Sequence, residues 1–285
     1  MNTWVIARTT FGDSLRRRVL LIFLLLAFVM LTLALLLNYF TAREQSTIFK
    51  STQLVIILIF GALISITTAV YLVPNEIDRR TIYSVLAKPV QRWEFLLGKF
   101  LGGALTVGFM IGLMSLALML VLSILALKPP SGAADVQQLQ EASAGVNVKD
   151  WLTRSSAEIM LVIRAVLVIY FQLVVVTAIA TTLSLYLAPT VNFGVTAIIW
   201  ILGQFQDALS GVIEDRTPLG FAVRGVSYVV PHFHDFNIMG SIIHPAQIAK
   251  DFDHWGYALG VCSYGLFWSL GVLMIGVLVF DRKEV

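Results

Sequence analysis

Side chains with chemistry to offer are sparse in this 285-residue sequence, and the densest groups of them stop short of a reactive site. His232, His234, His244 and His254 lie among Asp235, Asp251 and Asp253. Imidazole and carboxylate are ligands for copper or zinc. These residues are scattered over 23 positions, however, with no HExxH helix, and the single cysteine, Cys262, stands apart in an apolar run. They read as surface or packing residues, and no metal is expected. A phosphate loop needs Gly-x-x-x-x-Gly-Lys-Ser/Thr, because backbone amides and a lysine must surround the phosphates. Here Gly98-Lys99 is followed by Phe100, and Trp93 stands where the first glycine belongs. The chain is therefore not expected to be an enzyme that hydrolyses ATP.

Three further sets of polar residues remain. Thr177, Thr181, Thr182 and Ser184 bring hydroxyls into one apolar run, and Gln204, Gln206 and Asp207 bring amides and a carboxylate into the next. An aspartate is costly in hydrocarbon unless it faces protein, water or a partner. Gln204, Gln206 and Asp207, with Thr177, Thr181 and Ser184, are therefore candidates for lining a polar path. Against that stands the habit of membrane-helix hydroxyls of bonding their own backbone. The last set is "NEIDRRTIYSVLAKPVQRWEF", residues 75 to 95, which holds seven charged residues between two runs with almost none.

The elements that must position these residues follow from composition. Hydrophobic residues make up 58% of the chain and charged ones 13%, with a mean hydropathy of +0.85. Soluble domains are typically about 25% charged, so the chain belongs in a bilayer. Crossing the hydrocarbon takes about 20 apolar residues. Six segments qualify: 19–40, 54–73, 100–127, 159–187, 191–213 and 258–280, of which 191–213 is the least apolar. Such long continuous runs suit helices rather than barrel strands. The expectation is one all-α membrane domain over 1–285, with outer loops at 128–158 and 214–257, the latter carrying re-entrant helices. With the N-terminus inside, 11 of the 20 Lys and Arg residues fall in the inner segments and eight in the outer ones. Both termini, and the 74–99 segment, are thus expected in the cytoplasm.

Two shorter helices complete the expected architecture. Residues 1–18 place Trp4, Ala7, Phe11 and Leu15 at helical spacing beside Arg8 and the Arg16–Arg18 triplet, as an amphipathic helix at the membrane surface would. After Pro74, Asn75 followed by Asp78 resembles a capping box, and Glu76 and Asp78 favour a helix N-terminus. Ile82, Val85 and Leu86 form its apolar side, and Lys88-Pro89 ends it. In the third span, Ala104, Gly108 and Gly112 recur every four residues, a spacing that brings helix backbones close, whether within one bundle or between subunits.

"EIDRRTIYSVLAKPVQRWEFLLGKFLGG", 76 to 103, resembles the loop after the second span in ABC-2 type permeases, particularly the branch associated with multicopper enzyme maturation. Glu76, Thr81, Leu86, Pro89, Arg92, Phe95, Gly98 and Lys99 occupy the pattern's positions. "IARTTFGDSLRRRVL", "VVPHFHDFN" and "FDRKEV" are similar to other parts of that family, whereas 128–158 matches nothing in it. The resemblance implies the ABC-2 exporter fold and a permease subunit of the plasma membrane, paired with a second copy or a similar chain. It also implies cytoplasmic ATPase subunits that bind ATP and Mg and push the loop helix. Glu76, Asp78, Arg79, Arg80 and Thr81 are then the polar docking set, with Ile82, Val85 and Leu86 beneath and Lys88-Pro89 at its end. Membrane lipids are expected partners and nucleic acid is not. A secondary transporter or an intramembrane enzyme is the competing class. The first needs ionisable residues near the midplane, the second an activated nucleophile or water, and the spans offer little of either.

Overall fold

The computed structural model describes residues 3–39, 45–72, 92–125, 148–212, 231–236 and 254–281. Among them all regular structure is helical: α1 Thr3–Leu15, α2 Arg18–Tyr39, α3 Gln45–Val70, α4 Arg92–Leu125, α5 Val148–Leu183, α6 Pro189–Val212 and α7 His254–Asp281, with a single 3-10 turn at Phe233–Phe236. The 76–89 segment, residues 282–285 and most of the two expected outer loops lie outside the described residues.

Several boundaries differ from those read in the sequence. α4 begins at Arg92 rather than 100, because a helix started beyond Pro89 meets no further breaker before Leu125. Residues 148–158, expected in a loop, form the first turns of α5. That helix also stops at Leu183 instead of 187. Turn bonds from Tyr186 and Leu187 N–H to the Leu183 carbonyl reverse the chain there. Pro189 then opens α6, where its missing N–H leaves no bond unmade.

Contacts between helices fix their directions. Gly103 on α4 faces Leu72 at the end of α3 and Thr177 late in α5, while Gly61 in the middle of α3 faces Ile111 of α4. α4 therefore runs opposite to α3 and α5. α7 runs parallel to α5: Gly265 lies against the Phe171 carbonyl and Gly276 against Thr182, each 11 residues further on. α6 starts beside the end of α5, with the Asn192 amide donating to the Ala180 carbonyl at 2.9 Å, and three turns further on sets Gly203 against Phe233. α1, the end of α3, the start of α4 and the end of α7 thus share one end of the bundle. The 3-10 turn and the start of α7 lie toward the other.

α5 is the central helix, packed on α3, α4, α6 and α7 and buried without a break from Gln172 to Thr181. Among the described residues five helices are long and apolar enough to cross a membrane: Arg18–Leu36, Phe49–Val70, Trp93–Ile124, Ile159–Leu183 and Trp255–Val279. α6, the helix at the expected fifth crossing, has 24 residues but is not among these five. Asn192, Thr196, Gln204 and Gln206 dilute its apolar character.

Candidate functional site

The docking residues read from the sequence, Glu76, Asp78, Arg79, Arg80, Thr81, Ile82, Val85, Leu86, Lys88 and Pro89, lie outside the described residues. Their seat is described on both sides. The chain leaves α3 at Tyr71–Leu72 and returns at Arg92, and α1 lies across the first turns of α4 at that end. Two glycines make this crossing possible. A Cβ on Gly98 would come within 2.8 Å of the Ile6 side chain. One on Gly102 would stand 2.6 Å from Thr10 Cβ and 2.8 Å from the Ala7 carbonyl oxygen. Real Cβ atoms do not approach so closely, so these positions admit only glycine while α1 stays in place. Phe11 closes the contact edge-on against Phe109, with ring centres 5.9 Å apart.

The buried side of α1 is Ile6, Ala7, Thr10 and Ser14, not the Trp4, Ala7, Phe11, Leu15 stripe expected from spacing. Trp4 is exposed and only Ala7 is common to both sets. Close backbone approach favours short side chains, and Thr10 and Ser14 are shorter than the aromatics they displace. The linker after α1 brings Arg17 to α3. Its guanidinium donates to the Tyr71 carbonyl at 3.4 Å and lies 5.9 Å from the Tyr71 ring centre. A cation at the C-terminal end of a helix also complements the negative end of its dipole. On α4, Lys99 is buried, its ammonium 5.7 Å from the centre of the Phe95 ring.

The small-residue stripe of α4 faces two environments. Ala104 and Gly108 meet Tyr170 of α5, whose hydroxyl donates to the Ala104 carbonyl at 3.4 Å, while a Cβ at Gly112 would meet nothing within 4 Å. Of the hydroxyl set, Thr177, Thr181 and Ser184 are buried, and Thr182 is half-buried and donates to the Val272 carbonyl at 3.4 Å. Thr177 donates to the Leu173 carbonyl at 2.8 Å, Thr181 to Thr177 at 2.7 Å and Ser184 to Thr181 at 2.6 Å. Ser65 of α3 joins them, 2.8 Å from the Thr177 hydroxyl and bonded to the Leu173 carbonyl at 3.1 Å. These groups tie α3 to α5 and satisfy one another locally.

The amides of α6 behave differently. Gln206 is 5% exposed, its Oε1 is enclosed without a partner, and its Nε2 reaches only His232 Nε2 at 3.5 Å, a long contact. Gln204 Nε2 and Trp200 Nε1 are likewise enclosed and unpartnered. The side chain of Asp207 lies outside the described residues. An enclosed polar atom with no partner costs about 1–3 kcal/mol; Thr67 Oγ1 of α3 and Gln172 Nε2 of α5 share this condition, as do Thr10 Oγ1 and Ser14 Oγ of α1. The His232 backbone N–H donates to the Tyr264 hydroxyl oxygen at 3.4 Å, and Phe233 sits against Gly203.

Sequence reasoning passed over three of these features, the Gly98 and Gly102 seat, Ser65 and Tyr264, and read Arg17 only as one of the triplet at the membrane surface. The first was legible by the rule applied six residues further on, since Gly98 and Gly102 have the same four-residue spacing as Ala104, Gly108 and Gly112. Ser65 and Tyr264 carry no local signal, because their partners lie 112 and 32 residues away.

Among the described residues no three His, Cys, Asp or Glu side chains gather as metal ligands would. Asp235 is exposed, and the side chains of His234 and His254, with His244, Asp251 and Asp253, lie outside the description. A family model described as "ABC-2 family transporter protein" matches residues 4–285. No curated protein matches the chain.

Proposed function

The chain belongs to the ABC-2 transporter family, and from that premise we propose that it is the permease subunit of an exporter driven by separate cytoplasmic ATPase subunits. The family match makes it a multi-pass membrane permease of an ATP-binding cassette transporter. The observation that carries the finer reading is the shared end of α1, α3 and α4. Charged segment 76–89 leaves and rejoins the bundle there, beside a helix seated too closely on α4 to move independently of it. A push on that segment would reach α3 and α4 directly and α1 through Gly98 and Gly102. Coupling of this kind needs a contact that differs between two states, because a partner shifts an equilibrium only through differential interaction.

Six crossings fit this reading better than five. α5 and α7 run parallel, so the chain must return between them, and α6 makes that return along a length of about 36 Å at 1.5 Å per residue. An even number of crossings puts both termini on one side, in the plasma membrane with the cytoplasmic face carrying 76–89. The ATPase subunits would supply the ATP and Mg sites, since this sequence has no phosphate loop. A second copy or a similar chain completes the pore. The loop pattern favours the branch associated with multicopper enzyme maturation.

Reversal of Arg79 and Arg80 to Glu tests the assignment. Membrane insertion should persist while co-purification of the ATPase and ATP-driven transport fall at least tenfold. Unchanged co-purification and transport would overturn the docking role of 76–89. Arg80→Cys in a Cys262→Ala background, labelled from either side with a membrane-impermeant maleimide, checks the sidedness. Labelling from the outer face removes any contact with a cytoplasmic motor.

A further inference from the structure

Arg164 is a cation set inside a membrane span. It stands five residues beyond Ile159, where the apolar stretch of α5 begins, and is half-buried at the seam between α5 and α7. A charge so placed is costly unless it reaches water or a partner. Its reach is set by the helix. The Gly265–Phe171 and Gly276–Thr182 contacts give α5 and α7 a common register, which puts Arg164 level with Ala258. Helical side chains lean toward their own N-terminus, so that of Arg164 leans toward the end of the bundle where α7 starts. Its guanidinium carbon lies 5.7 Å from the centre of the Trp255 ring, three residues or about 4.5 Å nearer that end.

The ring meets the needs of this charge only in part. Cation and ring attract through the ring's quadrupole, but an indole face does not satisfy the N–H donors of a guanidinium. Among the described residues no carbonyl or carboxylate takes any of those donors. Asp235, whose own carbonyl accepts from the Tyr257 hydroxyl at 2.7 Å, forms no ion pair with Arg164. The surroundings are open and mostly apolar: Met160 and Ile163 on α5, and Trp255, Tyr257 and Leu259 on α7, are all exposed. A cation and aromatic rings at the edge of an apolar surface reproduce the polarity of one lipid molecule, headgroup at the boundary and chains beneath.

We propose that Arg164 and Trp255 form a binding site for an anionic phospholipid in the leaflet opposite segment 76–89, with its phosphate on the guanidinium and its acyl chains along Ile163 and Leu259. A guanidinium can engage two phosphate oxygens at once while lying against an aromatic ring. A net negative headgroup is favoured over a zwitterionic one, whose ammonium offsets the attraction of a single cation. Such a lipid bridges α5 and α7, so its binding stabilises the fold. The inference needs only that these two helices cross a bilayer. No motor, cargo or direction of transport enters it.

The test uses the full chain purified in dodecyl maltoside, which carries no phosphate, with phosphatidylglycerol, phosphatidylcholine or inorganic phosphate added. Native mass spectrometry counts the retained lipids, and a thermal ramp reads stabilisation. Phosphatidylglycerol should be retained and raise the thermal midpoint, phosphatidylcholine should be retained more weakly, and inorganic phosphate at equal concentration should leave the midpoint unchanged. Arg164→Gln should weaken retention of the tightest-bound phosphatidylglycerol about tenfold, the scale of a lost hydrogen bond to a charged group. Its midpoint without lipid should match the parent's. Arg164→Lys keeps the charge without the two-pronged fit and should fall between the two. Trp255→Leu, at an exposed position, should weaken retention by a smaller factor than Arg164→Gln. Equal retention by parent and Arg164→Gln, equal retention of the two phospholipids, or stabilisation by inorganic phosphate alone would each overturn the site. A lowered midpoint of lipid-free Arg164→Gln would overturn it as well, assigning the arginine to packing between α5 and α7.

Discussion

α1 and α2 are neighbours in sequence and opposites in placement. α2 contains the most apolar of the five candidate spans, yet only 22% of that stretch is buried, and Leu21, Ile22, Leu25, Val29, Leu33 and Leu36 face outward. α1 has a weaker apolar pattern and buries one side completely, two of whose four residues, Thr10 and Ser14, carry hydroxyls. In water the order would be reversed. In a bilayer, lipid tails solvate leucine as well as a protein interior does, so apolarity gives no reason to go inside. Burial then follows shape and polar bonding: α1 is held by a glycine seat, and the interior of α5 by hydroxyls that need partners.

The strongest way to break this comparison is to fill the seat. Gly102→Leu places carbon where Thr10 Cβ and the Ala7 carbonyl already stand. Backbone cannot move aside as a side-chain tip can, so α1 should be displaced at a cost of about 1–3 kcal/mol, the range for overpacking a tight core. Expected readouts are a clear fall in thermal midpoint and faster thiol labelling of a Ser14→Cys reporter on the buried side of α1, in a Cys262→Ala background. Gly112→Leu, on the same helix where an added Cβ meets nothing within 4 Å, should change neither. Equal effects at the two positions would remove the glycine seat as the reason α1 stays.

Much of this architecture could be read before any coordinates, and the unread part has a common cause. Long apolar runs give crossings because length and composition are local properties, and five of the six expected segments contain such a helix. Lateral placement is not local. Which face of α1 turns inward depended on Gly98 and Gly102, more than 80 residues away, and the apolar stripe through Trp4 and Phe11 pointed elsewhere. Thr177, Thr181 and Ser184 were identifiable as polar residues in an apolar run, but their bonds depend on α5's own carbonyls and on Ser65. Gln206 was recognisable from the sequence as a polar residue in an apolar run, whereas its contact with His232, and that of the His232 backbone with Tyr264 of α7, join residues 26 and 32 positions apart.

A smaller effect sharpens the role of the interior hydroxyls. Thr177→Val preserves shape and removes the 2.8 Å contact to Ser65. Ser65 keeps its bond to the Leu173 carbonyl at 3.1 Å, so no buried group is stranded. The loss should be about 0.6 kcal/mol, the average for interhelical hydrogen bonds in membranes. Reversible unfolding in mixed micelles can read a difference of that size. A loss beyond about 2 kcal/mol would mean that Thr177 supports a wider network, not one helix pair.

The smallest effect is expected on α2, where the comparison is most exposed to failure. Leu25 is 65% exposed and shares its outward face with Leu21, Ile22 and Val29. Truncating a buried leucine costs about 2–5 kcal/mol, because surrounding atoms lose contacts that nothing replaces. Around Leu25 those contacts would be with lipid, and acyl chains close over the missing carbons. Leu25→Ala should therefore leave unfolding in nanodiscs within about 0.5 kcal/mol of the parent, the range for surface positions. A loss in the buried-leucine range would show that α2 rests against protein there, through a second copy or another subunit. Dilution of the chain in the bilayer then separates the two cases, since a contact between copies weakens as copies become scarce and a lipid-facing surface is indifferent.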